Sequence, residues 1–167
     1  MTIAIDPGTE QSAYLVYDEA TGEIREHGIL ANGEMLEKLR TTRCEHLGDY
    51  DPTLAIEMVA SYGMAVGKEV FETVLWTGRF IEAWGKRYRK VYRQEVKLHL
   101  CGSARAKDSN IRQAILDRYP RTGGGATPQI GTKKQPGPLY GVSSHVWAAL
   151  AVALTAAETR GPLQSAA

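Results

Sequence analysis

The chain has 167 residues, 43% of them hydrophobic and 23% charged, with 20 Lys and Arg against 19 Asp and Glu. That length suits one domain with a real core and is short for two, and the hydrophobic content excludes a disordered chain. No apolar run reaches the roughly 18 residues of a membrane helix. The opening carries no basic-then-apolar signal segment, and its two cysteines, Cys44 and Cys101, suit a reducing cytosol.

Thr2–Ile5 is a short apolar run that ends at the turn signal Asp6-Pro7-Gly8-Thr9. Residues 12–17 and the alternating stretch 23–29 flank a second turn, so the first thirty residues read as a three-stranded antiparallel meander. Asn32 is placed to cap a helix with Met35, Leu36, Leu39 and Leu47 on its apolar side. After the Asp51-Pro52 break, Thr53–Met58 is a buried-looking strand whose one charge is Glu57. Gly67 and Gly85 bracket a long amphipathic helix. Trp76, Phe80 and Trp84 share one face of it, a stripe that reads as core or interface.

Tyr88–Glu95 is a basic strand candidate, and a helix is expected over Asp108–Tyr119. Residues 120–141 hold six glycines and four prolines, too many for an ordinary connection, and read as a disordered spacer or a flexible arm. Ser143–Glu158 is a last, largely Ala, Val and Leu helix. The whole reads as one domain over residues 1–160 with a frayed tail at 161–167.

Two carboxylates stand out. Asp6 ends an apolar strand and Glu57 interrupts another, and a carboxylate in such a place must be paired, neutralised or bound to a cation. Oxygen donors of this kind suit Mg²⁺ or Mn²⁺. The plainer readings make Asp6 a turn residue and Glu57 the partner of a buried arginine. His145, opening the last helix, is a third candidate if that helix packs across the sheet, because an imidazole there can ligate a metal or take a proton. A Cys₂His₂ set also exists on paper (Cys44, His46, His99, Cys101), but its C-x-H spacing is not a usual zinc pattern.

The near-neutral total hides an asymmetry. Residues 1–67 carry four basic and twelve acidic side chains, and residues 68–134 carry fifteen basic and six acidic. A polyanion is drawn to the second part, while the first can hold a divalent cation. Lys86, Arg87, Arg89, Lys90 and Arg93 lie close together, joined by Arg105, Lys107, Lys133 and Lys134. On a strand such residues alternate between faces, so only part of the first group can touch a polyanion.

The segments IAIDPGTEQSAYLVYD, LAIEMV, GSARAKDSNIRQAI and SSHVWAALAVALTAAE, in that order, resemble the RuvC-type Holliday-junction resolvases of the RNase H-like superfamily, most closely phage-encoded members. The resemblance implies an α/β fold with a five-stranded mixed sheet flanked by helices on both faces. It implies a Mg²⁺-dependent endonuclease, with Mn²⁺ able to substitute, that resolves four-way and other branched DNA junctions by paired phosphodiester hydrolysis. It also implies a homodimer acting in the cytoplasm, that of the host cell for a phage protein, with no membrane partner.

Carried over by motif, Asp6, Glu57 and His145 would be metal ligands and catalytic residues, with Asp108 a further ligand candidate that reads equally as a helix cap. Lys107 would offset phosphate charge, though it reads equally as a solvated lysine. Tyr62 lies near the place where the family inserts an aromatic into the junction. One position departs from the pattern: the second polar group of the last helix falls on Ala148. An alternative is therefore a junction-binding module that cuts weakly or not at all. An actin-like kinase fragment, suggested by the D-x-G-T turn alone, would need a second domain.

Overall fold

The computed structural model describes residues 1–45, 52–61, 63, 65–159 and 161–166. Leu47, His46, Tyr62 and the side chain of Cys44, all named above, lie outside the described residues.

The amino-terminal meander forms as the turn signals require: β1 (Thr2–Asp6), β2 (Gln11–Asp18) and β3 (Glu23–Ala31) pair antiparallel in sequence order. After α1 (Asn32–Glu45), strand β4 (Thr53–Met58) returns parallel to β1, and β5 (Arg87–Tyr92) follows parallel to β4 after α2 (Lys68–Trp84). The chain then runs through α3 (Arg93–Cys101), α4 (Asp108–Leu116) and α5 (Val146–Glu158) to β6 (Gln164–Ser165). The sheet order is β3-β2-β1-β4-β5-β6.

The fold is α/β with helices on both faces, as expected, but among the described residues the sheet has six strands and not five. The sixth comes from the segment expected to fray. Gln164 and Ser165 pair with Tyr88 and Arg87 and cover the start of an otherwise open β5 edge. A two-residue strand in a Gly- and Pro-containing tail has no periodicity to read.

Side-chain alternation along β1 and β4 divides the core in two. Ile3, Ile5, Leu54 and Ile56 pack with Met35, Leu36 and Leu39 of α1 and with Phe80, Ala83 and Trp84 of α2. Ala4, Ala55 and Val91 pack on the other face with α3, α4 and α5. The aromatic stripe belongs to the first core: Phe80 and Trp84 are fully buried, and Trp76 stacks on Phe80 with ring centroids 5.9 Å apart. Helix α5 is apolar all round because it is central, and its Ala149, Ala151 and Ala153 share a cluster with the sheet alanines Ala4, Ala13 and Ala55, small residues that let helix and sheet approach closely.

Two of the boundaries that differ from expectation bear on the site. The basic strand stops at Tyr92, and Arg93 opens α3, which buries Val96 and Leu100 and ends at Gly102 in the left-handed conformation. The last helix begins at Val146 and leaves His145 as its N-cap.

Residues 120–141 are a packed loop, neither spacer nor arm. Gly123 N–H donates to Pro128 O at 2.8 Å and Gly137 N–H to Ile130 O at 2.9 Å, so two passes of backbone cross. A Cβ on Gly131 would lie 2.2 Å from Gly137 N, which is why the crossing is built of glycine. Leu139 anchors the loop in the core, and Gln129 donates to Leu116 O at 3.1 Å. Among the described residues no helix is long and apolar enough to cross a membrane.

Candidate functional site

β1 and β4 are parallel neighbours with Ile5 opposite Ile56, and one step further along that register sets Asp6 beside Glu57. Both carboxylates sit where the apolar strands end, on the face covered by α5. Their side chains keep only 16% and 13% of their surface exposed. His145 reaches the same point from the opposite direction: its Nδ1 lies 3.1 Å from Asp6 Oδ2, and its ring is otherwise largely in solvent. Ser144, just before it, has φ 45°, the one non-glycine left-handed residue among those described. That conformation costs on the order of 1–3 kcal/mol and turns the chain so that His145 meets the strand ends.

The turn after Asp6 is held from beneath. Gly8 N–H donates to Ser12 Oγ at 3.2 Å, Ser12 Oγ–H donates to Asn32 Oδ1 at 2.7 Å, and Asn32 Nδ2–H returns to Gly8 O at 3.0 Å. A Cβ on Gly8 would meet Gln11 O at 2.3 Å, so the tight turn demands glycine. Asn32 was expected to cap α1. Its side chain instead fastens this turn, and Glu34 Oε2 accepts from Ala31 N–H at 3.1 Å.

Electrostatically the pair is unbalanced. Burial, with the neighbouring charge of Asp6 added, pushes the Glu57 carboxyl up to about 7. Burial also raises Asp6, against the pull of His145 and of a hydrogen bond from Glu57. Two buried carboxyls side by side share a proton because neither can ionise cheaply beside the other.

Beyond Glu57 stands Arg93, with Nη1 3.6 Å from Glu57 Oε1 and Nη2 2.5 Å from Asp108 Oδ1. Asp108 is the first residue of α4, with Lys107 as the N-cap, so it does not cap the helix. Its carboxylate is engaged by Arg93. Among the described residues no three His, Cys, Asp or Glu side chains stand as a preformed metal centre; Asp6, Glu57 and His145 converge pairwise, through Asp6.

No protein-family model matches the sequence, and no curated protein matches it. Solved structures do. The Thermus thermophilus RuvC structure superposes with a TM-score of 0.58 at 18% identity, covering 92% of this chain and 91% of that one. The same protein in complex with a Holliday junction substrate gives 0.58 and 18%, over 92% and 90% of the two chains.

The fold is that of RuvC.

On this RuvC-like frame the basic residues named from sequence lie in separate places. Arg93 stands at the carboxylates. Lys107 and Arg105 are exposed, at and just before the start of α4. Lys86 and Arg87 lie at the opposite end of β5, whose six residues span roughly 20 Å. Lys90 is half-buried, 5.9 Å from the Tyr88 ring centroid. Lys133 and Lys134 are exposed at the tip of the glycine-crossed loop, in the turn closed by Thr132 and Gln135.

Arg89 is a correction. It is buried on the α5 face, donates to Thr159 O and Thr159 Oγ1 at 2.7 Å and to Ala156 O at 3.2 Å, and pairs with Glu95. It closes the carboxyl end of α5, where a cation complements the helix dipole, and is taken up inside the fold. Of the paper zinc set, His99 is engaged by Glu158 at 2.7 Å and Cys101 is a free thiol.

Sequence reading missed Arg93 as part of the carboxylate site, and with it Arg112, whose guanidinium carbon lies 4.8 Å from the Trp147 ring centroid. The signal for Arg93 was present: Val96, Leu100 and Gly102 mark a short helix with its C-cap, and that helix must start just after Tyr92.

Proposed function

We propose that this chain is a divalent-metal-dependent endonuclease that cuts branched DNA, four-way junctions among its substrates, and works as a homodimer. The observation that carries the reading is the buried Asp6–Glu57 pair, joined by His145, at the carboxyl ends of parallel strands on a RuvC-like frame.

The donor set fits a hard divalent cation. Two buried carboxyls held side by side are costly unless a cation or a proton lies between them. Asp6, Glu57 and His145 would hold the ion. Bound there, it would lower the pKa of a water and take up charge developing on a phosphate oxygen.

The chain's own residues do the remainder. Asp6 and Glu57 lose their shared proton and become acceptors. The Ser12–Asn32 bracket keeps Asp6 in place, and the strained Ser144 holds His145 over it. Open clefts on both sides of His145 leave room for a strand: one lined by Gly8, Thr9 and Glu69, the other by Arg93, Arg112 and Trp147.

Support for the homodimer comes from α2, which exposes Phe71 and Leu75 by 64% and 58% next to partly exposed Val66 and Val74. Such an apolar face on one helix suits an isologous contact, which would set two sites on opposite strands of a junction.

The deciding experiment incubates the protein with a mobile four-way junction and a matched linear duplex, in Mg²⁺ and in Mn²⁺. Paired nicks at symmetric positions on the junction are expected. Glu57→Gln should lower the cutting rate by about 10²-fold or more while leaving junction affinity unchanged. Tight binding with no nick in either metal would make the chain the junction-binding module that Ala148 first suggested. Equal cutting by Glu57→Gln would dismiss this metal site.

A further inference from the structure

Asp6, Glu57 and His145 offer donors for one cation. On the far side of Glu57 the fixed charges change sign. A cleft of about 280 Å³ lies there, lined by Arg93, Asp108, Arg112, His145, Trp147 and Ala148. Ala148, three residues along α5 from His145, contributes only a methyl group. Among the described residues Asp108 is the one carboxylate lining the cleft, and Arg93 already engages it at 2.5 Å. A second metal ion would find almost nothing to bind. An anion would find two guanidiniums.

Arg93 is placed there against local preference. It is the first residue of α3, where a positive side chain opposes the helix dipole at a cost of roughly 0.3–1 kcal/mol. Its anchor is the exposed Asp108 carboxylate, a partner that contributes little to stability. The contact with Glu57, at 3.6 Å, is the looser of the two, so an ion at Glu57 can replace it without unseating the guanidinium from Asp108. Arg112 is steadied separately on the Trp147 ring.

We infer that the Arg93 guanidinium, with Arg112 beside it, stands where a second metal ion would otherwise be needed. The site is then built for one divalent ion and one fixed organic cation, placed on either side of the scissile phosphate. This rests on the nuclease reading above.

In the hydrolysis a water oxygen bonds to phosphorus and one ester oxygen leaves it. The water gives up a proton to solvent, and the leaving oxygen takes one from solvent. Arg93 transfers no proton. It donates two parallel N–H groups and a permanent charge to oxygens that become more negative as the bond breaks.

The test counts metal and measures rate separately. Electron paramagnetic resonance titration of the wild-type protein with Mn²⁺, alone and with nicked junction product, should find one tightly bound ion per chain. Two would overturn the inference. Arg93→Gln should cut the junction about 10²-fold more slowly, with junction affinity within threefold of wild type and Mn²⁺ affinity not weakened. Arg93→Lys, which keeps the charge without the fork, should recover part of the loss. Cutting at the wild-type rate by Arg93→Gln, or loss of its Mn²⁺, would also overturn it. A wild-type protein that cuts no junction in either metal would instead defeat the nuclease reading itself, whereas an active wild type with an equally active Arg93→Gln defeats this inference alone.

Discussion

β4 and β5 run side by side, and each buries one ionisable side chain, wholly or largely, on the face that α5 covers: Glu57 from β4 and Arg89 from β5. The register even places them in neighbouring rows, Ala55 opposite Arg89 and Glu57 opposite Val91. Their surroundings are opposite in kind. Arg89 finds a carboxylate, two carbonyls and a hydroxyl waiting for its two terminal nitrogens. Glu57 finds another carboxyl, Asp6, and an arginine that is bound more closely to a different partner. A buried charge answered by its own chain fastens the fold together, here the end of α5 to β5. One left facing its own kind requires something from outside, and that requirement marks a site.

Breaking the answered charge should cost the most. Arg89→Ala strands Glu95 and the last carbonyls of α5, and urea unfolding should show a loss of about 3 kcal/mol, with an unfolding midpoint well below wild type. A loss under about 1 kcal/mol would mean that the pair is decorative.

The unanswered charge should behave in the reverse sense. In chelator-treated protein Glu57→Gln should be more stable than wild type at pH 8, by about 1–2 kcal/mol, because an amide beside Asp6 removes a like-charge contact and still donates a hydrogen bond. The pH dependence sharpens this. The Glu57 carboxyl is raised to about 7 in the folded chain from an ordinary 4.5, so between those values the folded state holds a proton that the unfolded state has lost. Metal-free stability should therefore fall as pH rises through this window, with a slope of at most about 1.4 kcal/mol per pH unit. Glu57→Gln should flatten it, and an unchanged slope in the variant would place the titration elsewhere.

The smallest effect is expected at Asp108, whose side chain is 79% exposed. Asp108→Asn should shift unfolding free energy by no more than about 0.5 kcal/mol, since an exposed pair orients Arg93 without holding the fold. A larger loss in the same urea titration would make that pair part of the framework.

The Asp6–Glu57 pair was legible in the sequence because each carboxylate interrupts an apolar strand, an anomaly that needs no coordinates to notice. α2 was legible for a different reason: Gly67 and Gly85 punctuate it, and Gly85 does adopt the left-handed C-cap. Arg93 was not legible as a site residue because YRKVYRQE reads as one basic strand, and three residues of apolar spacing in α3 are a weak signal against it. Arg89 and Lys90 look alike in sequence. The pleat alone sends one inward, and which face is inward depends on where α5 packs. The Gly- and Pro-rich run 120–141 reads as loose because a backbone crossing held by Gly123, Gly131 and Gly137 leaves no hydrophobic period behind.

By itself, then, the sequence determined the α/β alternation, the amino-terminal meander, the bracketed α2 and the candidates Asp6, Glu57 and His145, since all of these are consequences of local spacing and of charges set in apolar surroundings. Only the tertiary structure decided that Asp6 and Glu57 stand side by side, that α5 brings His145 to them, that Arg89 belongs to the framework and that Arg93 faces the carboxylates. Those outcomes depend on strand register and on the packing of α5 against the sheet, which join residues as far apart as Asp6 and His145, and no local pattern carries contacts across such a separation.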